Sequence, residues 1–151
     1  RLTDIQGAIG AEQMKKLPAI LEERRRIAAR YDEKLAGCKV VSTPYVPKGY
    51  THGYQSYVCM VSLDGIGIND VDKAHEWRNA LMDKMEMAGV ATRQGTHAVH
   101  TLGYYKEKYT LNNSDYYNSY MADRLTIALP LYTGMTEDEQ DYVISTLMAN
   151  I

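Results

Sequence analysis

The residues most able to do chemistry gather between Arg93 and Tyr105, in the run RQGTHAVHTLGYY. His97 and His100 stand three apart, a spacing that puts two imidazoles on one helical face. Such a pair could ligate a metal, but a stable site wants a third ligand and none is signalled nearby. The reading that fits better is a polar pocket around Arg93–His100 in which either histidine hydrogen-bonds a ligand, with a plain structural role as the alternative. Arg93, expected at a strand end, suits a phosphate or carboxylate, although a rim salt bridge explains it equally. His52, in THGYQSY, faces a cleft or an exposed turn, and His75 reads as a surface residue. Asp123 and Arg124 read as a local ion pair. Glu137, Asp138, Glu139 and Asp141 cluster where a helix begins, which marks a cap favoured by the helix dipole and not an acid/base pair. The chain has no phosphate-cradling glycine loop, nucleophile elbow, Cys/His dyad or HExxH run.

The elements that must hold these residues follow from periodicity. Thr3 and Gln6 form a capping box, opening a helix to about Lys16, with Ile5, Ile9 and Met14 as its apolar side. Pro18 starts a second helix, Pro18–Ala36, closed by Gly37. Its apolar stripe includes Ile27, Ala28, Tyr31 and Leu35, while Arg24, Arg25 and Arg26 read as a solvated face with i,i+4 pairing. Strands are expected at Cys38–Val46, at Tyr54–Leu63 (apolar on both sides, hence covered on both faces) and at Val90–Arg93. Asn69 caps a helix running to about Ala88, with Gly89 behind it. A short helix and a polar loop, Asn112–Tyr120, lead into a helix-to-strand passage, Ala122–Leu129. A second capping box, Thr136 with Glu139, opens a last helix, Glu137–Met148. The order implies an α+β domain in which N-terminal helices precede a small mixed or antiparallel sheet flanked by helices.

Composition narrows the classes. The 151 residues carry a net charge of -2, which argues against phosphate-driven nucleic-acid binding. Residues 1–37 are mildly basic and the remainder acidic. No apolar run nears the roughly 20 residues of a membrane span. Two cysteines, Cys38 and Cys59, form no framework and suit a reduced, cytoplasmic setting. Phenylalanine is absent and 13 tyrosines stand in its place, the pattern of half-buried rings with wet hydroxyls. The chain begins at Arg1, without methionine and just before a helix cap, which reads as a piece of a longer protein.

Five segments in order, LTDIQGAIGAEQMKKL, RRRIAARYDEKL, HGYQSYV, GVATRQGTHAVHTLGYY and ALPLYTGMTEDEQDYVI, resemble the C-terminal portion of the DegT-type sugar aminotransferases. The resemblance implies the type I aminotransferase fold, with pyridoxal phosphate as cofactor, a nucleotide-linked keto sugar as substrate, an amino donor such as glutamate, and a homodimer. It implies that residues 1–37 connect from a large domain and that residues 38–151 form the small one. Lys15 and Lys16 lie downstream of the place it gives the cofactor's lysine, so no catalytic residue is expected in this chain, which alone is expected to be inactive. Arg1 matches an arginine in a loop that reaches the cofactor phosphate of the partner subunit. Arg93, Thr96, His97, His100 and Tyr105 match the substrate side. The segment around Gln94–His97 departs from the aromatic-rich version of some relatives. Two other readings are a related dehydratase, in which histidine replaces the lysine, and a binding or regulatory module without chemistry.

Overall fold

The computed structural model describes residues 2–151; Arg1, assigned above to a cofactor phosphate, lies outside the described residues. Helix α1 (Asp4–Leu35) runs unbroken. The Thr3–Gln6 capping box is present, but the break expected at Pro18 is not: the ring sits inside the helix. Proline costs one intrahelical hydrogen bond and crowds the turn before it, and the packed half beyond it outweighs that cost. In that half Ile27, Ala28, Tyr31 and Leu35 are buried, whereas every residue from Leu2 to Lys16 is exposed. Ile5, Ile9 and Met14 are indeed bare, yet they do not form one face, since Met14 lies five residues past Ile9, about 140° around the helix.

The sheet is antiparallel, in the order β1 (Val41–Ser42), β2 (Tyr57–Val61), β3 (Thr126–Leu129). Val41 pairs with Val61, and Cys59 with Ile127. The strand expected over Cys38–Val46 shrinks to two residues beside its prolines. The strand expected over Val90–Arg93 is reduced to one bridge, in which Arg93 N donates to Ala128 O at 3.3 Å and Ala128 N to Arg93 O at 2.7 Å. Gly95 explains why this edge must hug β3 without a side chain: a Cβ there would sit 2.3 Å from Val58 Cγ1 and 2.9 Å from Thr126 Cβ.

Four α-helices and one 3-10 turn (Val99–Thr101) lie between β2 and β3, the helices being α2 (Leu63–Ile66), α3 (Val71–Met87), α4 (Gly103–Tyr109) and α5 (Tyr117–Leu125); α6 (Glu137–Asn150) follows β3. Asp70, not Asn69, caps α3, its side chain accepting from Lys73 N. Gly89 takes the left-handed conformation behind it, while Gly37 keeps a negative φ. The polar loop expected to reach Tyr120 ends early, because α5 already begins at Tyr117. Thr136 and Glu139 cap α6 reciprocally, as expected.

The core lies between the sheet and α1, α3 and α6, around Tyr57, Cys59, Leu81, Ile127 and Leu147. Tyr31 and Tyr57 stack at 4.8 Å between centroids. Burial pushes the Cys59 thiol up to about 12, so it packs as a small apolar group.

Arg25 and Arg26 are exposed, as expected of a solvated face, and Arg24 is half-buried; all three also reach distant parts of the chain. Arg24 donates to the carbonyls of Tyr54 and Gln55 at 2.8 and 3.0 Å, and Arg25 to that of His52 at 3.2 Å. Arg26 lies 3.7 Å from Glu137. These bonds secure a turn in which Tyr54 holds φ 45°, a conformation costly for a bulky residue.

Candidate functional site

Asp123, near the end of α5, organises the loop that follows the edge strand. It is buried. Its Oδ1 accepts from the backbone N–H of Ala98 at 2.9 Å and from Gln94 Nε2 at 3.0 Å. The other hydrogen of Gln94 Nε2 serves Thr96 O at 2.7 Å, and His97 Nδ1 lies 3.2 Å from the same nitrogen. One carboxylate and one amide thus fix the turn Thr96–His97–Ala98 from inside. His97 Nδ1 is 3.9 Å from Asp123 Oδ1 while the imidazole itself is 75% exposed.

Behind Gln94 lies Arg78, 1% exposed and surrounded by core. Its Nη1 donates to Thr126 O at 3.3 Å, and its Nη2 lies 3.5 Å from Gln94 Oε1. No carboxylate bonds it directly; burial lowers its pKa from the usual guanidinium value, and nearby Asp123 opposes that shift. His75 is half-buried and not a surface residue: its Nδ1 is 3.0 Å from Arg124 O and 2.8 Å from Arg78 Nη2. That nitrogen donates to the carbonyl or accepts from the guanidinium, never both in one protonation state. Arg124 reaches Asp72 at 3.5 Å as well as Asp123 at 3.9 Å, so the local ion pair read from the sequence is one part of a wider set.

The expected site residues divide into two environments. Arg93, Thr96 and His97 are exposed along the edge and its loop. His100 is enclosed, 5% exposed, its ring stacked on Tyr116 at 5.1 Å and its Nε2 without a hydrogen-bond partner. The two histidines therefore do not present one shared face to a metal. Tyr105 is 40% exposed on α4, beside Tyr104 and Tyr109. Lys108 lies over the rings of Tyr104 and Tyr109 at 5.2 and 5.3 Å, giving this surface cation–π character. Sequence reasoning missed Arg78 and the anchoring role of Asp123. Arg78 had a signal: it occupies the α3 core stripe between Ala74 and Leu81, where a charge demands a purpose.

An apolar cavity of about 670 Å³, lined by Val90, Pro130, Tyr132, Met135 and Tyr142 among others, opens at the far end of the same edge. Its register puts it beside Pro130, while the His97 loop lies beside Thr126, so it is separate from the polar cluster. Among the described residues no helix is long and apolar enough to cross a membrane.

Comparison with known proteins gives these features a frame. The model of the DegT/DnrJ/EryC1/StrS aminotransferase family matches residues 1–148. A spore coat polysaccharide biosynthesis protein of Bacillus subtilis, SpsC, is 28% identical over 144 residues, 95% of this chain and 35% of that protein. A putative sugar aminotransferase of Streptococcus pneumoniae, solved in apo, pyridoxal-phosphate and pyridoxamine-phosphate forms, superposes in its apo form with a TM-score of 0.85 at 24% identity. That match covers 99% of this chain and 35% of the other. PseC of Helicobacter pylori, an aminotransferase involved in pseudoaminic acid biosynthesis, gives 0.82 at 14% identity, over 99% and 38%. At such identities the likeness establishes the fold. The chain spans about a third of the length of these relatives.

Proposed function

The chain belongs to the DegT/DnrJ/EryC1/StrS aminotransferase family, and from that premise we propose that it is the C-terminal part of a pyridoxal-phosphate-dependent enzyme aminating a nucleotide-linked keto sugar. Residues 1–37 are the connector and residues 38–151 the small domain. The amino donor is an amino acid such as glutamate, the working unit is a homodimer, and the reaction is cytoplasmic, feeding cell-surface polysaccharide or secondary-metabolite sugars. The observation that carries this reading is the family match along nearly the whole chain.

The described residues do not fit the covalent half of a pyridoxal-phosphate site. Every lysine is exposed, and none is enclosed with the buried carboxylate Asp123. A bound pyridoxal would supply the electron sink for moving an amino group, held by residues other than these; Arg1 is proposed to approach its phosphate from a partner subunit. What this chain supplies is recognition. Arg93 offers an exposed guanidinium to a phosphate or carboxylate. Thr96 and His97 offer hydroxyl and imidazole to sugar oxygens, on a turn already held by Asp123 and Gln94, so little ordering accompanies binding. His100 backs the sugar pocket from its enclosed position, and Tyr105 walls the nucleotide side.

Expression of the complete reading frame tests the proposal. Glutamate consumption coupled to amination of a nucleotide keto sugar, with visible absorbance from a lysine-bound pyridoxal, is the expected result. His97→Ala should then raise KM about fivefold, the cost of one neutral hydrogen bond of about 1 kcal/mol. A full-length protein that binds pyridoxal phosphate but transfers no amino group to any nucleotide keto sugar would refute the substrate assignment.

A further inference from the structure

Gln94 stands between two charges of opposite sign, Arg78 on the α3 core stripe and Asp123 near the end of α5, both of them buried. The guanidinium and the carboxylate do not bond each other; the Gln94 amide links them. Its Oε1 lies 3.5 Å from Arg78 Nη2, and its Nε2 donates to Asp123 Oδ1 at 3.0 Å. The amide dipole is thus aligned by a cation at its oxygen end and an anion at its nitrogen end, in surroundings that screen charge weakly. Thr96 O, 2.7 Å from the same nitrogen, demands the same orientation. Turned over, the amide would set its oxygen against a carboxylate and a carbonyl, and its N–H groups against the guanidinium.

This orientation decides the state of His97. The Nδ1 of that ring lies 3.2 Å from Gln94 Nε2, a nitrogen that only donates. A hydrogen on Nδ1 would point at another hydrogen, whereas a lone pair there shares the amide N–H groups with Thr96 O. Asp123 Oδ1 would favour a hydrogen on Nδ1, but at 3.9 Å it lies beyond hydrogen-bonding reach. The neutral ring therefore carries its proton on Nε2, which becomes its only donor. His52 offers a comparison within the chain: its Nδ1 accepts the backbone N–H of Tyr54 at 2.9 Å, which fixes the same tautomer.

We propose that Gln94, aligned by Arg78 and Asp123, is a positioning residue that holds His97 as an Nε2–H donor, so that His97 recognises a lone pair on a ligand oxygen and does not accept from a ligand hydroxyl. The proposal rests on the reading of His97 as a substrate contact. Carbonyl and phosphoryl oxygens fit this donor, since they offer lone pairs and no hydrogen. It also gives the buried charges a purpose that packing does not: an apolar side chain in place of Arg78 would fill the α3 stripe without the cost of taking a guanidinium out of water.

Long-range proton–nitrogen correlation spectra of the histidine rings in the 151-residue chain read the tautomer without any substrate. They are recorded at about pH 8.5, about two units above the ordinary histidine pKa. His97 is expected to show a protonated Nε2 and a bare Nδ1, as His52 does. Gln94→Glu keeps the side chain's length and replaces its donors with acceptors, so the His97 proton should move to Nδ1 while His52 stays unchanged. Gln94→Met, which adds no charge beside Asp123, should leave His97 as a mixture of both tautomers. In the complete enzyme Gln94→Glu should raise KM about fivefold with kcat little changed, the loss of one hydrogen bond shared by ground and transition states. That rise should vanish in a His97→Ala background, because Gln94 acts through that ring. A proton on Nδ1 in the native chain, a tautomer indifferent to both replacements of Gln94, or a KM rise that persists undiminished without His97 would each overturn the proposal, the last assigning Gln94 to the structure of the loop alone. A complete protein that aminates no nucleotide keto sugar would count against the substrate reading and leave the tautomer result standing.

Discussion

Tyrosine serves two regions of the molecule in opposite ways. In the core, Tyr31 and Tyr57 stack ring on ring, and each hydroxyl is committed: Tyr31 donates to Pro130 O at 2.8 Å and Tyr57 to Asp32 at 2.5 Å. Burial drives both phenols above their ordinary range. On α4, Tyr104, Tyr105 and Tyr109 leave their rings in solvent beside Lys108. The same side chain is a buried brace in one place and an open platform in the other. What decides is whether the hydroxyl finds a partner inside the fold. A chain with no phenylalanine has no other aromatic for the brace except its single tryptophan.

Substitutions measure that difference. Tyr57→Ala removes a fully buried ring and should cost about 4 kcal/mol, whereas Tyr105→Ala should stay within about 0.5 kcal/mol and register only in ligand affinity. Urea unfolding of the two variants reads this directly, and equal costs would erase the distinction. Gly95→Ala strikes the border between the regions. Its Cβ meets Val58 and Thr126 at distances no side chain tolerates, so the edge must peel away from β3, at about 2 kcal/mol. Asp123→Ala strands the buried N–H of Ala98 and releases Gln94, at about 1–3 kcal/mol. Its signature is local, namely faster amide exchange at Ala98 with little change at Cys59 in β2. Uniform acceleration across both would mean that the loop and the core open as one unit.

The sequence revealed the caps and stripes well, because a capping box or an apolar repeat is a local pattern. Thr3 with Gln6 and Thr136 with Glu139 formed as read. It misled where distant residues decide. Pro18 looked like a boundary, yet packing from Ile27 to Leu35 carries the helix through it. The bonds of Arg24 and Arg25 are invisible in the sequence because their partners, the carbonyls of residues 52–55, lie about thirty positions away. Residue type alone marks the loop from Arg93 to His100 as a polar pocket. The residue that shapes it, Asp123, stands 25 positions from Ala98 and reads in sequence only as half of a local ion pair with Arg124.

The smallest expected effect concerns the ion pair that ties α1 to α6 on the core side. Arg30 Nη2 donates to Asp141 Oδ2 at 2.7 Å. That bond, followed by the charge of Arg30 itself, holds the Asp141 carboxyl below its ordinary range. Hydrogen bonds from the backbone and hydroxyl of Thr136 do the same for Glu139. A carboxyl that loses its proton more readily folded than unfolded favours the folded state while it is charged. Its contribution is complete above the unfolded pKa, near about 4, and disappears as pH falls through the lower folded value. Wild type should therefore lose more of its urea midpoint between about pH 5 and about pH 3 than Asp141→Asn, which has no such charge to lose. The two side chains are accessible enough for water and salt to screen them, so the gap should narrow in high salt. Asp123→Asn, by contrast, alters a buried carboxylate and should keep its effect in salt. If both variants respond to salt alike, the exposed pair on the core side and the buried carboxylate under the His97 loop share one electrostatic environment, and the contrast between the two regions is confined to their tyrosines.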